Sequence, residues 1–525
     1  MKRHATLTLL LVGGLSFLLA LGGCDNLTSY NENPNEPTSA NPNNLLANAQ
    51  RYLADEVYDD TWMMRRSSVW AQYTTQNFYP SESRYSPVNY PWAGFYNRLT
   101  DLKTAKEIAR EQPSTVQNPA NFQAVATIMQ VWGFQILTDA YGDVPFAEAL
   151  QQRENQSPSY TPQSEIYPAL VDSLNTALSQ ISTDGAGPSG DLVNGGSMEM
   201  WQKFANGLKM RLAIRGYEAD ADGWDPDAVI QSANGNALES NDDNVYFQFG
   251  TSSTHRNDYY ENREVSFRDD FDGTARFIDF METKYGSADP RLDAYFEQTS
   301  NSGRSCEDGS GEYTGFPFAL EQGDAQGLYG ANPTCAFSRP EAWWSNGSSG
   351  SGDAFAPMMY YDEVLLTKAW AAEQGIISGN PQDLMGQAIE ASVDFYGSQT
   401  DASISSSSSA TQNYISQVQS DFTSDPMQVI GEQRYIAFYM NNIQGWSTWR
   451  RFDFEGVLGS PEGGVAGGFD SYAPLRVSYP SSEANLNGDN YEAAADNMCG
   501  GVQSEDEDCQ MWWDTDGPPA DAHSN

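Results

Sequence analysis

The hydrophobic pattern is strongest between Asn118 and Leu150. Phe122, Val125, Ala126, Met129, Trp132, Gly133, Ile136 and Leu137 recur at helical spacing, and Ile128, Val131 and Phe134 make a second apolar stripe. A helix apolar on two faces is buried on two faces, so this segment predicts the central helix of a layered helical protein. Asn118-Pro119 starts it: an Asn N-cap satisfies an orphan amide, and Pro at the first helical position gives up an amide that had no partner. Asn121, Gln123, Thr127, Gln130 and Gln135 argue against a membrane span, where their amides would face lipid. Asp139-Ala-Tyr-Gly-Asp-Val-Pro145 ends the helix, with Gly142 as the stop and Pro145 preventing its resumption.

Other segments carry the same period. Leu46, Ala49, Leu53 and Val57 share one helical face. From Ser197 to Arg215, Trp201, Phe204, Ala205, Leu208 and Leu212 form a stripe, with Ser197 as N-cap, Glu199 at the positive end and Lys209, Arg211 and Arg215 at the negative end. A helix is predicted from Thr274 to Tyr285. Helices resume at Pro357, with Tyr361, Val364, Leu365, Ala369 and Ala372 at helical spacing, and again after a Ser-rich linker, Ser405 to Ser409, at Asp425-Pro426. Residues 221–356 are dominated by Gly, Ser, Asn and Asp, and read as a loop-rich insertion. Periodicity alone therefore predicts a mainly α-helical protein with large loop insertions.

The N-terminus changes the picture. Lys2-Arg3, an apolar run from Leu7 to Leu21 and then Leu21-Gly-Gly-Cys24 have the layout of a bacterial lipoprotein signal peptide, with cleavage before Cys24 and lipid on its thiol; a plain secretory signal is the alternative. Residues 1–23 are thus read as the signal, 24–44 as a flexible tether rich in Asn, Pro and Ser, and 45–525 as a single helical domain carrying the 221–356 insertion. Removal of Lys2 and Arg3 moves the formal charge from −43 to −45. With 71 acidic against 28 basic residues, nucleic acid would be repelled and is excluded as a partner. The acidic excess also suits a saline habitat, where counter-ions screen self-repulsion.

If Cys24 carries lipid, Cys306, Cys335, Cys499 and Cys509 form an even set in an oxidising compartment. Local pairing, Cys306 with Cys335 and Cys499 with Cys509, would close two loop-rich segments. A zinc site is the rival, but its spacings are absent and no His lies near. Asp270, Asp272 and Gly273 resemble half of a calcium loop whose first ligand position is taken by Arg268. The expectation is no metal and no cofactor, with calcium as the alternative.

Trp70 to Arg98 is dense in aromatics and amides. Within it, Tyr79-Pro-Ser-Glu-Ser-Arg-Tyr-Ser-Pro-Val-Asn-Tyr-Pro91 has two proline-bounded turns and no helical period, so part of it should be surface loop. Exposed rings beside amides suit sugars, whose apolar faces stack on rings while their hydroxyls need paired donors and acceptors. The ligand-binding candidates are Gln76, Asn77, Tyr79, Arg84, Tyr85 and Trp92, joined by Trp343 and Trp344, which also sit among Gly, Ser and Asn. Trp92, spaced four residues from Tyr96, could instead enter the core.

Asp139 to Pro145, together with Trp201-x-Lys-Phe-Ala-Asn-Gly-Leu-x-x-Arg-Leu-Ala-x-Arg215, resembles the SusD/RagB family of nutrient-binding outer-membrane lipoproteins. Asn33-Pro-Asn-Glu-Pro-Thr38, Asp289-Pro-Arg-Leu292, Met358 to Glu373, Gln444-Gly-Trp-Ser-Thr-Trp-Arg-Arg451 and Pro474 to Pro480 follow family segments in the same order, up to about Asp514. Asp362 and Trp370 depart from the family pattern, where small or acidic residues are usual. The resemblance implies tetratricopeptide-like helix pairs supporting long irregular loops. It further implies a surface lipoprotein, anchored in the outer membrane through its lipid, that captures an oligosaccharide or a peptide. A SusC-like TonB-dependent transporter would receive that nutrient.

Two other classes compete. A glycoside hydrolase needs two carboxylates at a set separation, and pairs such as Asp242/Asp243 and Asp269/Asp270 offer only adjacent acids in an acidic chain. Gly-x-Ser-x-Gly, His-Glu-x-x-His and P-loop motifs are absent, and Gly347 to Gly352 lacks the strand and helix a phosphate cradle needs. A helical scaffold that binds nothing would use the same helices without aromatic loops. No enzymatic activity is expected.

Overall fold

Asn118 caps the central helix as its sequence predicts: its side chain accepts from the amides of Ala120 and Asn121, and Pro119 opens the first turn. In the computed structural model this helix, α3 (Pro119–Tyr141), is buried on every side along most of its length. The structure describes residues 40–86, 92–151, 154–268, 270–299, 312–331, 336–400, 402–453, 458–464, 473–499 and 509–515. Cys24, Cys306 and Cys335, and most of the tether, lie outside them.

Before α3 come α1 (Pro42–Tyr58) and α2 (Trp92–Glu111); after it come α4 (Gln163–Gln180), α5 (Met198–Arg215) and α6 (Pro226–Ala233). Each packs on the next in the chain, so helix pairs stack into a layer. In α1, Leu46, Ala49 and Leu53 are fully enclosed, as their spacing predicts. A second stack follows the insertion: α7 (Ala275–Thr283) leads towards it, and α8 (Tyr361–Glu373), α9 (Pro381–Gln399), α10 (Ser409–Phe422), α11 (Pro426–Ala437) and α12 (Asn442–Phe452) build it. Leu365, Trp370, Ile389, Tyr414, Val418 and Ile430 fill its own apolar cluster. α5 against α8, and α3 against α12, join the two stacks. The fold is mainly α, with Pro42–Asn525 forming one compact unit. Among the described residues no helix is long and apolar enough to cross a membrane.

The strands are short and serve as clasps. β1 (Thr74–Gln76) pairs antiparallel with β5 (Phe271–Gly273), β2 (Val144–Pro145) with β3 (Tyr160–Thr161), and β4 (Val245–Gln248) with β6 (Phe355–Met359). β6 corrects one expectation: Pro357 to Met359 are strand, and the helix begins only at Tyr361, whose amide donates to Asn244 Oδ1 at 2.7 Å. Apolar spacing cannot distinguish a fully buried strand from the first turn of a buried helix.

The basic end of α5 also carries ties that helical spacing does not reveal. Arg215 stands in the last turn as expected, and both it and Arg211 are buried. Arg211 makes a two-point pair with Glu363 of α8, and Arg215 pairs with Asp139 of α3, both enclosed. Asp139 also accepts from Gln135 and from the Tyr167 hydroxyl of α4, while its carbonyl accepts from Arg450 of α12 at 3.1 and 3.2 Å. Arg291 likewise chelates Asp289, two residues before it, and reaches Gln433 of α11. Charged groups this deep are tolerable only when paired and fully hydrogen-bonded. The motifs that gave the family resemblance are thus the polar ties between helix stacks.

The C-terminal segment closes the core. Val477 donates to Ala140 O at 2.7 Å and the Tyr479 hydroxyl to Asp143 O at 2.6 Å. The Arg450 guanidinium lies between the rings of Trp446 and Trp513, 3.5 and 4.8 Å from their centroids. Cys509 is disulfide-bonded and buried. Cys499 ends the helix Gly488–Cys499, and its side chain lies outside the described residues.

Candidate functional site

The ribbon of β1 and β5 organises the surface around the predicted ligand loop. Gln76 opposes Phe271, and one residue further on Asn77 N donates to Asp270 O at 2.9 Å. Phe78-Tyr79 and Phe267-Arg268 leave from that same end. Phe267 is 87% exposed and held at φ 52°, and Tyr79 is 50% exposed. A non-glycine residue in the left-handed region is strained, and a bare ring in water costs about 25 cal/mol per Å² of apolar surface. Tyr79 is braced by Phe78, edge to face at 4.9 Å. Phe78 is fixed through its carbonyl, which accepts from Gln326 Nε2 at 3.2 Å.

Two guanidinium groups stand close in sequence to these rings. Arg268 donates through Nε to Asp270 Oδ2 at 2.6 Å with much of its side chain exposed. Arg84, half-buried, donates through Nε to Gly464 O at 2.7 Å. An exposed ring can stack on an apolar ligand face, and a guanidinium with free N–H groups can donate to its oxygens.

The other candidates divide by burial. Gln76 and Asn77 are enclosed and act as latches: Gln76 Nε2 donates to Glu82 Oε2 at 2.6 Å, and Asn77 Nδ2 to Asp272 Oδ2 at 3.1 Å. The Asp272 carboxylate of the failed calcium motif is therefore hydrogen-bonded within the ribbon. Tyr85, expected in an open loop, is buried at φ 61°, its ring against Phe318 and its hydroxyl accepting from Gln72 Nε2 at 2.9 Å. Burial pushes that hydroxyl's pKa well up.

Trp343 and Trp344 are also corrected from loop to core. They lie on the short helix Trp343–Asn346, where Trp344 packs on Tyr396 and Tyr439 and donates to Ala294 O at 3.1 Å, while Trp343 packs on Phe355. These partners are remote in sequence, so no local pattern shows them. Trp92 starts α2 against Tyr141, Tyr160 and Tyr479, and its remaining surface lines a cleft of about 170 Å³ with Tyr96, Glu483 and Leu486.

Sequence reading missed Phe267. Its signal was faint: one aromatic in Glu264-Val-Ser-Phe-Arg268, where Val265 two residues before it and Phe271 four after it would suit a buried ring as well as an exposed one.

A family model described as starch-binding and associating with the outer membrane, SusD-like, matches residues 34–480. Among solved structures, a chitin-binding protein shares 25% identity, with a TM-score of 0.72 over 91% of this chain and 100% of its own. A SusD homologue from Bacteroides fragilis shares 20%, with a TM-score of 0.73 over 91% and 100%. A chitin-binding SusD homologue from Flavobacterium johnsoniae shares 19%, with a TM-score of 0.69 over 90% and 99%. No curated protein matches the chain. A family match across most of the sequence, on a helical frame tied together by the very motifs that suggested it, makes this chain a member of the SusD-like family.

Proposed function

We propose that the protein is a non-enzymatic receptor that captures an oligosaccharide on the platform of Tyr79 and Phe267 and passes it to a SusC-like TonB-dependent transporter. In this reading lipid on Cys24 anchors it to the outer membrane, facing the cell exterior, and disulfides Cys306–Cys335 and Cys499–Cys509 brace its irregular segments. The observation that carries the reading is Phe267: a ring 87% exposed on strained backbone, at the mouth of an otherwise well-paired ribbon. Strain and exposed apolar surface persist where something outside the fold makes use of them. Two similar solved proteins are named as chitin-binding, so oligomers of N-acetylglucosamine are the first ligands to try, with starch oligomers second.

Stacking supplies the affinity and Arg84 and Arg268 the direction. Calorimetry on the mature chain should show saturable binding of one of these oligomers. Phe267→Ala and Tyr79→Ala should each weaken it by about 1–3 kcal/mol, the usual range for an anchoring ring, without lowering the thermal midpoint. Unchanged affinity in both variants would remove the platform from the site. Shortened products after prolonged incubation would instead favour a hydrolase.

A further inference from the structure

Lys209 stands in the second half of α5 with only 4% of its surface exposed. Its ammonium donates one hydrogen bond, to Ser232 Oγ of α6 at 2.8 Å, and no carboxylate of the described residues pairs with it. That is unexpected where acidic residues outnumber basic ones 71 to 28. Some other cations are answered by carboxylates, the buried Arg211 by Glu363 and Arg291 by Asp289 and the half-buried Lys203 by Asp243, while the buried guanidinium groups of Arg434 and Arg450 each donate to several carbonyl and hydroxyl oxygens. An ammonium removed from water without a counter-charge is destabilised, and burial accordingly pushes the Lys209 pKa below its ordinary value.

The ammonium is not sealed in the core. Lys209 and Ser232 line an open cleft of about 230 Å³ between α4 and α6, walled also by Asn175, Asp172, Val229 and Trp224. This is many times the space one water needs. The Trp224 ring is held in place, with Nε1 donating to Gly216 O at 2.7 Å and edge contacts to Tyr167 and Trp512. A fixed ring on one wall, an uncompensated cation at the base and an exposed amide at the mouth form an incomplete set of contacts.

We propose that this cleft is a subsite for a uronate, with the sugar ring against Trp224, the carboxylate paired with Lys209 and Ser232, and the ring hydroxyls directed to Asn175. A neutral sugar would leave the ammonium uncompensated. A dianion such as phosphate or sulfate would meet Asp172 and Asp225 at the rim, in a chain already at −43. Asp225 itself is engaged in capping α6, where its Oδ1 accepts from Ala228 N at 3.0 Å. One negative charge on a flat-faced ring fits both demands. The subsite shares no residue with the platform of Tyr79 and Phe267, so the two stand or fall separately.

The test titrates the mature chain, carrying Cys24→Ser, with D-glucuronate, D-glucose and acetate in parallel, reading heat and tryptophan fluorescence. Glucuronate should saturate, Lys209→Met should weaken it at least tenfold, and Phe267→Ala should leave it unchanged. Acetate should bind at least tenfold more weakly than glucuronate, and any glucose response should be insensitive to Lys209→Met. Asn175→Asp, at an exposed position harmless to folding, puts a further carboxylate at the mouth and should weaken glucuronate at least fivefold, which keeps the test decisive if Lys209→Met does not fold. The proposal is overturned if glucuronate gives no saturable response, if either Lys209→Met or Asn175→Asp leaves it unchanged, if acetate binds as tightly, or if Lys209→Met removes a glucose response equally.

Discussion

Arg211 and Glu363 face each other across the junction of the two helix stacks, with Nε and Nη2 each 2.6 Å from a separate carboxylate oxygen and neither side chain reached by solvent. Arg211 Nη2 also donates to Met358 O at 2.6 Å, so the same guanidinium secures the strand that precedes α8. The pair decides how the stacks register, because each partner lies on a different one.

Breaking it from one side should therefore be severe. Glu363→Ala leaves a buried guanidinium unanswered and should lower unfolding free energy by about 3–5 kcal/mol, measured by denaturant titration. Arg211→Met combined with Glu363→Leu removes both charges and should recover most of that loss. A double variant as unstable as the single one would show that the pair's hydrogen bonds, and not the orphaned charge, carry the effect.

Asp362, beside Glu363, titrates in the opposite sense from an ion-paired acid. Burial raises its pKa from 3.8 to about 6. The folded chain thus holds a proton on Asp362 between about pH 4 and 6 where the unfolded chain does not, so stability falls as pH rises through that window. Two pKa units correspond to about 3 kcal/mol. Asp362→Asn, which mimics the protonated side chain, should leave stability at pH 4 unchanged and raise it at pH 7. Equal effects of the substitution at both values would contradict the assignment.

Gly142 is required by its backbone. It sits at φ 81°, and a Cβ there would lie 2.1 Å from Met498 Cε. Gly142→Ala should cost about 1–3 kcal/mol from strain at this φ, and more if Met498, whose Sδ accepts from Asp143 N at 3.1 Å, cannot move aside. Thermal unfolding of Gly142→Ala with and without Met498→Ala separates the two contributions.

Anchoring is tested at Cys24. Cys24→Ser should move the protein from the membrane pellet to the soluble fraction after cell lysis, as the lipoprotein-signal layout of Leu21-Gly-Gly-Cys24 requires. A variant that sediments as completely as its parent would remove lipidation as the anchor.

Most of the helical frame was legible in the sequence because its cues are local. Asn118, Ser197 and Asp425 cap the helices they were expected to start, and the stripe of Trp201, Phe204 and Leu208 is buried as its spacing demands. What failed was whatever depends on the opposite partner. Arg211 and Arg215 were placed at the negative end of their helix, but periodicity cannot show Glu363 and Asp139 waiting across the interface. Trp343 and Trp344 looked like loop rings, because Tyr396 and Tyr439 arrive from other elements. Phe267 was invisible for the converse reason: nothing buries it, and a lone ring makes no pattern.

The segment from Pro474 to Tyr479 sets the schedule on which this chain can mature. Arg476 reaches the carbonyl of Tyr141 across 335 residues of sequence, and Trp446 and Arg450 are completed only by carbonyls of Pro474 and Leu475. Contacts that distant close late, because the loop entropy between them must be overcome first. A chain emerging N-terminus first therefore carries its central helix with an open flank until nearly its last residues arrive. That is a long interval with apolar surface uncovered. Exposure to chaperones while the chain is incomplete, and sensitivity to truncation at the far end, follow from that one distant closure.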